Sequence, residues 1–243
     1  MFGKHIAERE PEHPSSGDFL RDIVFGANDG VVTAIGFLVG IAGTIGDQAV
    51  IVVAGVLTIV AGAASMALGN YLGAKSQREF YEQMETVERW EIEHEPEKER
   101  EEVSEIYQNM GFSPGEVKLL MAKVTGDREM WLKVMMRDEL GLSQKDKVNP
   151  VFAGGVMGLF YLVGGIPPLL PFILIKPVTR ALLMSIIAAI LVMAMIGAIR
   201  WFLNRGSLGR KVVETIVIGV IAALIGFLAG EVLTFFGITS VAI

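Results

Sequence analysis

The chain has 243 residues, 52% of them hydrophobic, no cysteine, and a formal net charge of −6 at pH 7. The absence of cysteine excludes a disulfide framework, thiolate zinc sites and iron–sulfur ligation, and the acidic balance gives no reason to expect a nucleic-acid partner. Charged residues make up 20% of the chain yet are nearly absent from five long stretches, a distribution that excludes an ordinary soluble domain.

The first residues, Met1–Pro14, are polar and lack the apolar core of a signal peptide, so no cleaved export signal is expected. The apolar stretches that follow are Ile23–Ile45, Ala49–Leu72, Val151–Ile175, Ala181–Leu203 and Val212–Phe236, each of 23 to 25 residues. As helices rising about 1.5 Å per residue, all five are long enough to cross a ~30 Å hydrocarbon core. The second continues into Lys75–His94, a stretch without Gly or Pro. Pro96 suits the first turn of a new helix reaching about Met110. Gly111 ends that helix, and Ser113-Pro-Gly-Glu116 has the form of a capping box. Gly126-Asp127 then separates a last helix, Arg128–Leu140, with Trp131, Leu132, Met135 and Met136 on its apolar side. The expected fold is an all-α membrane protein: five transmembrane helices with a three- or four-helix insert, divided as residues 1–73, 74–148 and 149–243.

Lys and Arg residues set the orientation. Three precede the first span, twelve lie in Ala74–Lys147, and Arg200, Arg205, Arg210 and Lys211 surround the fourth loop, against only Lys176 and Arg180 on the other side. The positive-inside rule places the N-terminus and the insert in the cytoplasm, and five spans leave the C-terminus outside or in a lumen.

Between Glu79 and Glu105 the insert holds twelve glutamates against Arg89, Lys98 and Arg100, a net of −9; the rest of the chain, at −6 minus −9, sums to +3. Glutamates at 79, 82, 85, 88 and 91, then at 95, 99, 102 and 105, fall on neighbouring turns of a helical face. Like charges so spaced repel by a few tenths of a kcal/mol per pair, which water and salt can screen or a cation can neutralise. Met135 and Glu139, four residues apart on the last helix, are placed to close a site with carboxylates from the first two. Oxygen donors with a thioether suit Fe(II) or Mn(II) better than zinc. Spacing alone does not choose Glu88 over Glu85. Glu91-x-x-His94 occurs once, whereas ferritin-like di-iron bundles need two such elements, so His94 reads as a helix C-terminal residue.

Within the first span stands Asp29, six residues past Ile23, and Met66 lies six residues before Leu72 in the second. Both are then about 9 Å below the cytoplasmic edge. A carboxylate at membrane depth costs roughly 2.5–3.5 kcal/mol on insertion scales and marks ion or proton paths. Gly26-x3-Gly30, Gly36-x3-Gly40, Gly69-x3-Gly73 and Gly226-x3-Gly230 permit close helix approach. The Gly26, Gly30, Gly36 and Gly40 stripe points to a first-span contact between two copies, which would double the ligands at Asp29 and Met66. Glu231 and Glu214 read as interfacial residues of the fifth span.

Arg21-Asp-Ile-Val-Phe-Gly-Ala-Asn-Asp29-Gly30, Ala63-Ala-Ser-Met66-Ala-Leu-Gly-Asn-Tyr-Leu72, the Glu-rich insert and Gly164-Gly-Ile-Pro-Pro-Leu-Leu-Pro171 together resemble the vacuolar iron transporter family, in order and over nearly the whole chain. The resemblance implies a five-span homodimer that exchanges cytosolic Fe(II), and often Mn(II), for protons. It implies a path between protomers lined by first-span helices, with Asp29 and Met66 on the ion. It also implies a cytoplasmic metal-binding domain with ligands Glu88, Glu91, Glu99, Glu102, Met135 and Glu139, and with Met136 beside them. Iron is then substrate rather than prosthetic group, and Mn, Co and Zn fit the same ligand types. One departure is Thr58, where the eukaryotic members carry a glutamate; a hydroxyl does not carry charge through a proton cycle. Asp29, Asp18 and Asp22 remain as proton carriers. The departure suggests a prokaryotic relative at a cell membrane, with a vacuolar membrane the eukaryotic alternative. Two other functions stay open: a proton-independent metal exporter, and a membrane-anchored di-iron enzyme or iron-storage module.

Overall fold

The computed structural model describes residues 16–143, 149–204 and 206–236. The stretch expected to lack an export signal and the side chain of Asp18 lie outside the described part. Eight α-helices follow in order: α1 Ser16–Thr44, α2 Gln48–His94, α3 Pro96–Asn109, α4 Pro114–Val124, α5 Arg128–Val134, α6 Pro150–Leu174, α7 Val178–Asn204 and α8 Leu208–Phe235. Five of them, α1, α2, α6, α7 and α8, are long and apolar enough to cross a membrane. Helices overrun the apolar stretches because hydrogen bonding continues beyond the hydrocarbon boundary: α1 begins at Ser16 rather than Ile23, and α2 runs unbroken for 47 residues. The chain forms two compact units, Leu72–Pro150 and the remainder.

In the larger unit glycine governs the packing. A Cβ on Gly26 would stand 2.6 Å from the Met157 carbonyl oxygen, and Gly30 lies against the Tyr161 carbonyl. On α6, Gly164 lies against the Ala27 carbonyl. Further along α1, Gly36 and Gly40 meet Ala222 and Gly226 of α8. The first-span glycine stripe packs inside one chain, against α6 and then α8. Small residues let backbones approach closely wherever a neighbour is available, and here the neighbours are intramolecular. Gly154 and Gly158 of α6 similarly admit Ala67 and Ala63 of α2. By contrast, nothing lies within 4 Å of the Cβ position of Gly69. The α6 end is fastened by Gln48, whose Nε2 donates to the carbonyls of Phe172 (2.6 Å) and Ile175 (2.7 Å).

The smaller unit is a helical platform around Tyr81, Ile92, Val103, Tyr107, Trp131, Leu132 and Met135. Pro96 occupies the first turn of α3, with Glu97 and Glu99 beside the positive helix end. Gly111, at φ 92°, turns the chain out of that helix. The Ser113 amide donates to Glu116 Oε2 at 2.8 Å, the reciprocal bond of the expected capping box. Asp127 Oδ1 accepts from the amides of Glu129 (2.9 Å) and Met130 (3.2 Å) and starts α5. The last helix departs from the sequence expectation of one α-helix to Leu140. After Val134 it widens into a π-helical turn, Met135–Glu139, in which the Leu140 amide donates to the Met135 carbonyl at 3.2 Å. Such turns are costly in isolation and recur at functional sites.

Candidate metal centres

In the platform, α2, α3 and the π-turn each deliver one glutamate to the same point. Ligand oxygens of Glu88, Glu99 and Glu139 all lie within 4.8 Å of one another. Glu88 is 3% exposed and Glu99 0%. Oε2 of Glu88 and both carboxylate oxygens of Glu99 have no hydrogen-bond partner. Leaving buried carboxylates unpaired is costly unless a proton or a cation neutralises them. Burial, and then the nearby Glu139 and Glu99, push the Glu88 carboxyl up to about 8. Burial, followed by Glu102 and Glu91, pushes Glu99 up to about 7. Glu139 is raised too, again by burial first and then by Glu102 and Glu91. Glu91 and Glu102 flank this trio and share Lys98, whose Nζ lies 3.9 Å and 3.4 Å from them.

Glu88 faces Glu99 and Glu139, whereas Glu85 pairs with Arg89 at 3.3 Å. Met135 is fully buried in the platform core. Met136 lines a cavity of about 380 Å³ with Tyr81, Glu85, Arg89 and Arg137, and none of the three clustered glutamates borders that cavity. His94 is exposed, bonded through Nδ1 to the Trp90 carbonyl at 2.9 Å and stacked on its ring.

In the membrane unit a second set of polar groups follows the α1–α2 seam. Asn70 Nδ2 donates to Asp22 Oδ2 (3.0 Å) and to the Ala153 carbonyl (2.9 Å), tying α1, α2 and α6 together around a buried carboxylate. Further in, α6 meets α1 at Gly26 and Gly30 through Met157 and Tyr161, and meets α2 at Ala63 and Ala67 through Gly158. That register sets Asp29 and Met66 in one layer of the bundle, and both are half-buried. Tyr161, 2% exposed, spans the layer. Its hydroxyl lies against Gly62, one turn before Met66.

The VIT family model matches residues 20–231, which is most of the chain. The chain belongs to the VIT family. It is 30% identical over 222 residues to "Vacuolar iron transporter 2" of Oryza sativa, covering 91% of this chain and 90% of that one. It is 31% identical to "Vacuolar iron transporter 1" of Arabidopsis thaliana, with 91% and 88% covered. With "Vacuolar iron transporter" of Plasmodium falciparum it shares 27% identity over 96% and 88%. These VIT-family relatives are named as transporters, none as an enzyme.

Reasoning from spacing missed Tyr161 and the Asn70–Asp22 bond in this VIT-family chain. A polar side chain inside an apolar span was the available signal in both cases. Thr58 falls on the same α2 face as Gly62, Met66 and Asn70, at intervals of four residues, and is half-buried.

Proposed function

We propose that this VIT-family protein is a secondary transporter that moves Fe(II), and with it Mn(II), out of the cytosol in exchange for protons. The observation that carries this reading is the buried trio Glu88, Glu99 and Glu139, whose unpaired oxygens form a ready-made site for a divalent ion. Glu91, Glu102, Met135 and Met136 are its proposed neighbours in the platform, which captures ions and passes them on. Asp29 supplies a hard oxygen and Met66 a soft sulfur to the ion in the bilayer, with Tyr161 between their helices. Charge asymmetry supports a cytoplasmic platform, and the relatives' names support a vacuolar or equivalent membrane.

A second copy of the chain completes the path in this reading. One protomer offers two ligands at the depth of Asp29, and a two-fold axis doubles them. With the α1 glycines engaged internally, the open small-residue line on α2, Ala61, Ser65 and Gly69, is the face we assign to the partner copy. Thr58 favours a second reading, proton-independent export, because no second-span carboxylate is present to carry a proton. Fe(II) uptake into proteoliposomes with and without an imposed pH gradient tests the choice. Gradient-driven accumulation is expected; equal flux without a gradient supports the second reading, and no flux refutes both.

A further inference from the structure

The arginines of the platform are spent away from the buried trio. Arg78, Arg89, Arg100, Arg128 and Arg137 each pair with a carboxylate outside the trio and its neighbours Glu91 and Glu102. Lys98 is the exception. Its Nζ lies 3.4 Å from a Glu102 oxygen, 3.9 Å from Glu91 and 4.0 Å from Glu95, so three carboxylates share one ammonium. Burial and then neighbouring glutamates raise the carboxyls of Glu88, Glu99 and Glu139. Among the described residues the one opposing charge is Lys98, which acts on Glu99 and Glu139.

Exposure sets the order of these groups. Glu99 is 0% exposed, the side chains of Glu91 and Glu102 are 26% and 30% exposed, and that of Lys98 is 54% exposed. The ammonium therefore stands on the solvent side of the two flanking carboxylates, on a flexible four-carbon stem. An exposed ion pair of this kind contributes little, because water competes for both charges and holding a long side chain costs entropy. A divalent cation carries twice the charge, and at Glu88 and Glu99 it meets buried oxygens that have no other partner. The ammonium can thus occupy the outer carboxylates of an empty platform but cannot hold them against such an ion.

We propose that Lys98 is a tethered competitor for the metal: it holds Glu91 and Glu102 while the platform is empty, is displaced when a divalent cation binds, and returns as the cation leaves. The inference rests on the metal-transport reading above. The trio with Glu91 and Glu102 gathers five carboxyl groups, a set that would hold a divalent ion too firmly to hand it on. A positive charge kept within reach of the outer two limits that affinity and offers them a partner at the moment of release.

The test uses the full-length protein in nanodiscs with Mn(II) as the probe. Platform binding is the part of the Mn(II) electron paramagnetic resonance signal change that Glu99→Gln with Glu139→Gln removes. Lysines of the unaltered protein are labelled by reductive methylation with and without Mn(II) and read by mass spectrometry. Labelling of Lys98 should rise about threefold or more with Mn(II), the scale of an exposed ion pair released, while that of Lys118 on α4 should not change. Lys98→Gln should tighten platform binding about three- to fivefold, and Lys118→Gln, the same loss of charge elsewhere on the platform, should stay within about twofold of the parent. Platform-bound Mn(II) that leaves Lys98 labelling unchanged or lowers it overturns the proposal, as does equal tightening in the two variants, which a general field effect would give. Absence of platform binding in the parent overturns both the proposal and the capture role of the platform. A parent in which Mn(II) behaves as expected but which moves no Fe(II) in proteoliposomes overturns the transport reading alone.

Discussion

Glu99→Gln isolates the electrostatic cost stored in the platform. Glu99 is fully buried, has no hydrogen-bond partner, and titrates near 7 rather than the ordinary 4.5. The unfolded chain releases this proton near 4.5, so between the two values the folded state holds more protons than the unfolded one. Stability contributed here is complete below 4.5 and is lost as pH rises through 7. At about 1.4 kcal/mol per tenfold, the whole difference is at most ~3.5 kcal/mol. Part of it is repulsion shared with Glu102, Glu91 and Glu139, and about 2 kcal/mol is what a single substitution should recover. Glutamine keeps the shape and removes the charge. We therefore expect the metal-free Glu99→Gln protein to unfold at a higher temperature than wild type at pH 8 and at nearly the same temperature at pH 5. Trp131, buried in the same platform, gives the fluorescence readout. Added Mn(II) should raise the wild-type midpoint at pH 8 and leave the variant's nearly unchanged. A variant equal to or less stable than wild type at pH 8 without metal would refute the assignment of Glu99 to a repulsive, cation-hungry cluster.

Asp29→Asn should abolish Fe(II) uptake in proteoliposomes at matched incorporation, since an amide cannot offset the dehydration of a divalent ion, and removing the buried charge should not impair insertion; wild-type flux would take Asp29 out of the path. Met66→Leu, close in volume, should retain flux and shift the uptake ratio toward Mn(II), read by competition between the two metals. Single cysteines at Ala61, Ser65 or Gly69 in this cysteine-free chain should crosslink between copies in membranes, and cysteines at Gly36 or Gly40 should not, because α8 covers them; the reverse pattern would return the contact to α1. Gly30→Ala should cut the yield of folded protein in size-exclusion profiles, costing about 1–3 kcal/mol of overpacking, because its Cβ meets the Tyr161 backbone, whereas Gly43→Ala, with nothing within 4 Å, should behave as wild type.

The outline of this protein is carried by local chemistry, and local chemistry is what a sequence displays. Five charge-poor stretches make helices that cross a bilayer whatever surrounds them, because only internally bonded backbone is stable there. The capping box at Ser113 and the stop at Gly111 likewise depend on residues within one turn of each other. The wealth of glutamate in the insert was equally plain, together with its need for a counter-charge. Which glutamates answer that need was not, since Glu85 and Glu88 stand three residues apart on one helix and differ only in what faces them: Arg89 for one, Glu99 and Glu139 for the other. The π-turn that carries Glu139 widens the last helix by a single hydrogen-bond step that no periodicity of the segment announces. Glycine is ambiguous for the same reason. A GxxxG stripe declares that a backbone comes close; whether that backbone is α6, α8 or a second copy depends on the arrangement of all five spans, and α6 and α8 reach the α1 stripe within the same chain. Tyr161 reaches the layer of Asp29 and Met66 only because α6 packs between their helices, so its place is a property of the assembled bundle and of no segment alone.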